Sequence, residues 1–166
     1  MQWRTLIQKS DAEAVRALVA DTGFFSDEEV LVAVELVDET LARGKASGYE
    51  FLLLDHPDRP GHLLGYTCYG LIPATESSFD LYWIAVSPQA QGQGLGAKLM
   101  RESERLARAC GATQMYADTS ASEQYTPTRA FYERMGYEKA AVLKNFFAVG
   151  DHKVIYARQF GAGQLA

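Results

Sequence analysis

Cysteine and histidine are scarce, two and three in 166 residues. Cys68 and Cys110 fit neither a disulfide framework nor a metal site, because no Cys or His stands at ligand spacing from them. His56, His62 and His152 lack such spacing as well and read as surface residues. No apolar run approaches the ~20 residues of a membrane span. Met1-Gln2-Trp3-Arg4 lacks the apolar stretch of a secretory signal, so a reduced cytoplasm is the expected setting. Basic residues are the minority, 16 against 21 acidic, giving a net charge of −5. Nucleic acid would call for a concentrated basic surface. Neither a nucleic acid, a membrane nor a metal is therefore expected as a partner. Repeats and low-complexity linkers are missing too. At 48% hydrophobic the chain can bury one core, so residues 1–160 read as a single domain and 161–166 as a frayed tail.

What the chain does have is a glycine-rich loop at mid-length. An apolar strand, Leu81 to Val86, turns at Pro88 and runs through Gln89-Ala90-Gln91-Gly92-Gln93-Gly94-Leu95-Gly96-Ala97 into an amphipathic helix. Glycines at alternate positions bare the backbone and permit angles that other residues avoid. The amides from Gly92 to Ala97 can then converge on an anion, and the helix N-terminus adds partial positive charge. Such a nest suits phosphate even on a mildly acidic protein. Lys98 and Arg101 follow in the first helical turns, either near the phosphates or simply solvated. Three readings compete. A plain turn needs one glycine, not three. A dinucleotide site is suggested by Asp118 roughly 20 residues on, but the spacing is G-x-G-x-G rather than G-x-G-x-x-G. A Rossmann fingerprint also opens its domain, whereas this loop lies mid-chain. The third reading is a family resemblance.

Along the chain, Trp3 to Ile7 suits a first strand. Ser10-Asp11-Ala12-Glu13 and Ser26-Asp27-Glu28-Glu29 both read as capping boxes. The first precedes an apolar stripe of Val15, Leu18 and Val19. The second precedes Val30, Val34, Val37 and Leu41, with Gly44 as the stop. Phe25 before Ser26, with Val30 beyond it, reads as a hydrophobic staple. Strands are expected over 49–54, 62–72 and 79–86, the first two joined by the Pro57–Gly61 hairpin loop. After the glycine loop, Leu95, Leu99, Leu106 and Cys110 mark one side of a helix ending near Gly111. A short strand over 114–119 follows. Thr126 is placed as the cap before Pro127 of a helix ending near Gly136, and strands over 137–147 and 152–160 close the chain.

Gln91-x-x-Gly94-x-Gly96 behind the V-x-P turn resembles the acetyl-CoA pyrophosphate signature of the GNAT superfamily of N-acetyltransferases. Phe131-Tyr132-Glu133-Arg134-Met135-Gly136-Tyr137 resembles the family's FYE-x-x-G-F/Y segment, and the order β-α-α-β-β-β-α-β-α-β-β is the family's. The resemblance implies an α/β (α+β type) fold: a central mixed, mostly antiparallel sheet of six to seven strands, flanked by about four helices, with strands four and five splayed. It implies acetyl-CoA as co-substrate, held by Gln91, Gly92, Gln93, Gly94, Leu95, Gly96 and Ala97. Main-chain groups of Ile84, Ala85 and Val86 would face the pantetheine arm and polarise the thioester carbonyl, the logic of an oxyanion hole. Many relatives pair through their last strands, which makes a homodimer compatible with the resemblance.

By the same resemblance Tyr132 matches the tyrosine that lies beside the coenzyme sulfur. A phenol of pKa near ~10 stays protonated at neutral pH and can donate to a departing thiolate; read on its own, the residue is equally a core tyrosine. Asp80 falls where the histone acetyltransferase branch places its catalytic glutamate, one methylene shorter. It can take the amine's proton directly or through water, unless it is only an exposed acid at a strand end. Asp118 and Ser120, where the fifth strand leaves the sheet, and Phe24, in the loop that covers the acceptor, are candidate substrate contacts. Glu123 and Tyr125 are weaker versions of the same idea. The implied activity is transfer of an acetyl group from acetyl-CoA to a primary amine, of a small molecule first and a protein or peptide second, by direct attack. A non-catalytic acyl-CoA-binding module is the alternative from another class.

Overall fold

Strands and helices follow one another in the expected order. The structure, a computed structural model, describes residues 2–161; the tail expected over 161–166 lies, from residue 162, outside the described residues. The elements are β1 (Gln2–Arg4), α1 (Asp11–Asp21), α2 (Asp27–Arg43), β2 (Glu50–Asp55), β3 (Leu63–Leu71), β4 (Ser78–Val86), α3 (Leu95–Ala109), β5 (Gln114–Ser120), α4 (Thr126–Arg134), β6 (Glu138–Ala148) and β7 (Asp151–Gln159). Seven strands form one sheet in the order β1-β2-β3-β4-β5-β7-β6. The β4–β5 pair is parallel, while β1–β2, β2–β3, β5–β7 and β6–β7 are antiparallel. Pairing of β4 with β5 runs from Ser78↔Gln114 to Leu81↔Ala117 and stops there, although β4 continues to Val86 and β5 to Ser120. This is the expected parting of strands four and five.

The chain divides into two compact units, Met1–Gly70 with Trp83–Arg105, and Leu71–Tyr82 with Leu106–Ala166. In the first, α1 and α2 bury Val15, Val19, Ala33 and Val37 completely. The capping box of α2 forms as expected: Ser26 Oγ accepts from Glu29 N at 3.2 Å, and Glu29 Oε2 accepts from Ser26 N at 2.8 Å. Gly44 ends α2 with φ +57°, an angle that favours glycine. Leu41 departs from the expected stripe and is exposed.

The box expected at α1 does not form, since Ser10 makes no side-chain cap bond. Asp11 turns inward instead and is 1% exposed. Its carboxylate accepts from Gln8 N at 2.7 Å and from Arg4 Nη1 and Nη2 at 2.6 Å each. Arg4 Nε donates to Asp55, so one guanidinium ties β1, β2 and α1 together. A bidentate charged pair is stronger than a neutral cap bond, and it wins the geometry.

The inner face of α3 also differs from expectation. Leu106 is half-buried and Cys110 exposed, whereas Leu95, Leu99, Met100, Ser103, Glu104 and Ala107 are buried. Ser103 belongs inside because its hydroxyl meets Thr67 Oγ1 of β3 at 2.6 Å. Gly65 of β3 has no room for a side chain. A Cβ there would lie 2.8 Å from Leu99 Cδ1 and 2.9 Å from the Ala85 carbonyl oxygen.

In the second unit β7 lies between β5 and β6, with Asp118 opposite Ile155 and Ser120 opposite Lys153. Tyr132 of α4 packs its ring 5.9 Å from Tyr137 and 5.6 Å from Tyr156, whose hydroxyl donates to Glu133 Oε1 at 3.0 Å. Thr126 is the first helical residue rather than the cap; its Oγ1 accepts from Arg129, and Tyr125 occupies the cap position. Every residue of β6 is exposed. Its register with β7 breaks between Leu143 and Ala148, where Asn145 takes φ +54°. The resulting bulge is held by Asn145 N donating to His152 Nδ1 and by Asn145 Oδ1 accepting from Gly150 N.

Candidate functional site

In the first unit, β4 ends in a short 3₁₀ turn over Pro88–Ala90 and the glycine loop follows. Two buried side chains, Ala90 and Leu95, pin the loop at its ends against Leu54 and Leu64, with Val86 packed beside them. Between the pins the backbone is exposed, and Gly92 and Gly94 have φ of +76° and +71°. A Cβ at either would meet nothing within 4 Å, so the space over the loop is open. The first bond of α3 runs from Lys98 N to Gly94 O at 3.1 Å. The amides of Leu95, Gly96 and Ala97 precede it and have no carbonyl to bond within the helix. Amides so arranged at a helix N-terminus are suited to cradle an anion. Gln91 and Gln93 fold back toward the Val86 and Gln89 carbonyls at 3.4 Å, keeping their bulk off it. Lys98 and Arg101 are exposed in the first turns of α3. Ala85 is buried, and Ile84 and Val86 are half-buried.

The candidate acids lie in the second unit. Asp80 stands opposite Tyr116 in the β4–β5 register. Asp118 is two residues further along β5, so the pleat puts both carboxylates on one face. Asp80 is raised from 3.8 to about 6, first by burial and then by the Asp118 charge, with Lys153 acting in the opposite sense. Lys153, opposite Ser120 on β7, reaches Asp118 Oδ2 at 2.5 Å. Its Nζ also lies 4.7 Å from the centroid of the Phe146 ring, carried on the bulge of β6. Lys153 and Phe146 were not among the residues expected from sequence.

Tyr132 is buried, and its phenol is pushed up by burial and by the Asp118 charge. The packing is that of a core tyrosine, yet its hydroxyl makes no hydrogen bond to a described residue. Ser120 is buried, its Oγ within 2.5 Å of Asp151 Oδ1 and accepting from Ser122 N at 2.9 Å, so its hydroxyl holds the β5 exit. Phe24, in the first unit, is half-buried and meets Phe25 edge-on at 5.2 Å. Phe25 turns to Trp83 at 5.1 Å. Among the described residues no group of three His, Cys, Asp or Glu could hold a metal, and no helix is long and apolar enough to cross a membrane.

The chain belongs to the acetyltransferase (GNAT) family, whose model matches residues 13–137. A GNAT-family protein from Desulfovibrio desulfuricans is 46% identical and superposes with a TM-score of 0.91, covering 95% of this chain and 98% of its own. An aminoglycoside 6′-N-acetyltransferase complexed with coenzyme A shares the fold at 16% identity, with a TM-score of 0.72 over 96% of this chain and 97% of that one. So does a ribosomal-protein-alanine N-acetyltransferase from Brucella melitensis, at 22% identity and a TM-score of 0.74 over 96% and 100%. No curated protein matches the chain. The matched residues include the glycine loop, and the family is one that uses acetyl-CoA, which favours that reading over the dinucleotide one.

Proposed function

We propose that this protein transfers the acetyl group of acetyl-CoA to a primary amine of a small soluble molecule by direct attack. The observation that carries the amine reading is the pair of carboxylates, Asp80 and Asp118, on one face of the sheet, with Asp80 raised to about 6. Lys153 already answers Asp118, so Asp80 is the carboxylate left to attract an alkylammonium of pKa near ~10, and a carboxylate with a raised pKa is a better proton acceptor than an ordinary one. The cradle from Gln91 to Ala97 holds the pyrophosphate, and the β4 main chain at Ile84–Val86 polarises the thioester carbonyl. Asp80 takes the proton of the amine, whose nitrogen then bonds the carbonyl carbon. As the carbon–sulfur bond breaks, Tyr132 gives its proton to the thiolate and recovers one from the nitrogen, directly or through water, leaving the neutral amide and the CoA thiol, while Asp80 releases its proton to solvent. Phe24 and Asp118 serve the acceptor. Direct attack is favoured because Cys68 is buried, its thiol pushed well up by that burial, which makes it a poor nucleophile.

Thiol release from acetyl-CoA with a panel of amines tests the reading. Turnover with small primary amines is expected. Binding of CoA without release for any amine would instead make the chain an acyl-CoA-binding module, and release only with peptide amines would move the acceptor to proteins.

A further inference from the structure

One cation in the second unit serves no purpose that the proposed chemistry has yet used. Lys153 is four-fifths buried, and its ammonium sits between the Asp118 carboxylate and the face of Phe146. Both contacts are attractive to a cation and come from different strands, so the side chain is gripped rather than merely close. The bulge in β6 makes this possible: Leu143 and Ala148 are five positions apart, while their partners Lys153 and Asp151 are two apart. The excess chain carries Phe146 to Lys153, and Asn145 closes the bulge on both sides.

The same sheet face carries two acids, and the charge of Asp118 disfavours the ionised form of Asp80. Asp80, Tyr116, Asp118, Ile155 and Lys153 share it by register and pleat alternation. Two carboxylates on one patch do not both ionise freely unless a cation offsets them. Asp118 on β5 and Lys153 on β7 are the charges that act on Asp80, and the Asp118 charge acts on Tyr132 of α4 as well; Tyr82 on the strand of Asp80 and Tyr116 on β5 share the face of Asp80 by register and alternation. Leu143 and Phe146 of β6 bring no charge. Lys153 is thus the one cation of this set.

We propose that Lys153, clamped between Asp118 and Phe146, is a positioning residue that neutralises Asp118 so that Asp80 is free to ionise and accept the amine's proton. This rests on Asp80 being the base. Lys153 touches no reacting atom in this scheme and works through Asp118. Burial and the neighbouring acid raise Asp80, and Lys153 restrains the rise.

The test is the pH profile of kcat/KM for wild type, Lys153→Met, Lys153→Arg and Asp80→Asn, with an acceptor of known pKa. Wild type rises through a midpoint near the value of Asp80. Lys153→Met is expected to move that midpoint up by about one pH unit, roughly a tenfold loss on the acid side, with the rates converging above pH ~8. Lys153→Arg keeps the charge and the ring contact and is expected to stay close to wild type. A Lys153→Met midpoint equal to wild type, or an equal loss at every pH, overturns the proposal. If Lys153→Met does not fold, Phe146→Leu loosens the grip without removing a charge and should move the midpoint the same way by less; an unmoved midpoint there overturns it too. Asp80→Asn separates the two ideas. If it keeps the wild-type acid limb, the base assignment fails and this proposal falls with it; if it abolishes the limb while Lys153→Met leaves the midpoint in place, only the role of Lys153 is refuted.

Discussion

Asp80→Asn should make the folded protein more stable at neutral pH while removing its proposed base. The carboxyl is raised from 3.8 to about 6 in the folded protein. An acid whose folded pKa exceeds its unfolded one binds its proton more tightly when folded. The contribution of this group to stability is therefore most favourable below about pH 3.8, falls as pH rises toward about 6, and stays reduced above it. At full strength that shift corresponds to about 3 kcal/mol. The group is only half-buried, so solvent screening leaves roughly 1–2 kcal/mol. Asparagine keeps the shape and carries no charge at any pH. In a protein of this size, 1–2 kcal/mol is about 3–6 °C in Tm. Thermal melts followed by circular dichroism should show Asp80→Asn melting higher than wild type at pH 7.5, with most of the difference gone at pH 4. Equal melting at both pH values, or a difference that grows as pH falls, would refute the view that Asp80 is strained by ionising in place. Turnover should move the opposite way, as expected where an active site holds a group in an unfavourable state.

Three further outcomes are expected. Gly94→Trp fills the open space over the cradle and strains a backbone at φ +71°; CoA affinity should fall by at least ~2 kcal/mol, the worth of one or two charge-assisted hydrogen bonds, and calorimetry showing unchanged affinity would remove the loop from the site. Tyr132→Phe keeps the ring packing and deletes a hydroxyl with no partner among the described residues, so Tm should hold while kcat drops roughly 10²-fold; normal turnover with lowered stability would make Tyr132 a core residue only. Gly65→Ala puts a Cβ 2.9 Å from the Ala85 carbonyl oxygen, and because Leu99 can swing aside but the carbonyl cannot, chemical denaturation should report a loss of about 1–3 kcal/mol.

The most local signals proved the most legible. The turn at Pro88, the glycines at 92 and 94 and the start of α3 are each written within a few residues, and the structure builds them as read. The capping box at Ser26 belongs to the same class. At Ser10 the local signal was outbid by Arg4, whose other carboxylate partner, Asp55, is 51 residues away from it in sequence. Ser103 and Glu104 are polar residues, a type that argues against an inner helix face, yet both are buried on α3, and Thr67 supplies Ser103 with a buried partner. Lys153 and Phe146 were invisible for a related reason. Their contact depends on the pairing of β5, β7 and β6 and on how many residues the β6 bulge contains. A period of two along His152 to Phe160 says which residues share a face, but not what a neighbouring strand brings to it.

The two pins of the glycine loop carry a thermodynamic consequence. Ala90 and Leu95 are fixed in the small core of Leu54 and Leu64 by the packing of the fold itself. The entropy lost in ordering the intervening residues is therefore charged to folding and not to coenzyme capture. Binding should then be quick to equilibrate, with little of its heat capacity change coming from the loop itself. It also makes the proposed affinity hostage to a few methyl groups on the far side of the backbone: loosening that core would let the amides wander and weaken the proposed hold on pyrophosphate, with no contacting residue changed.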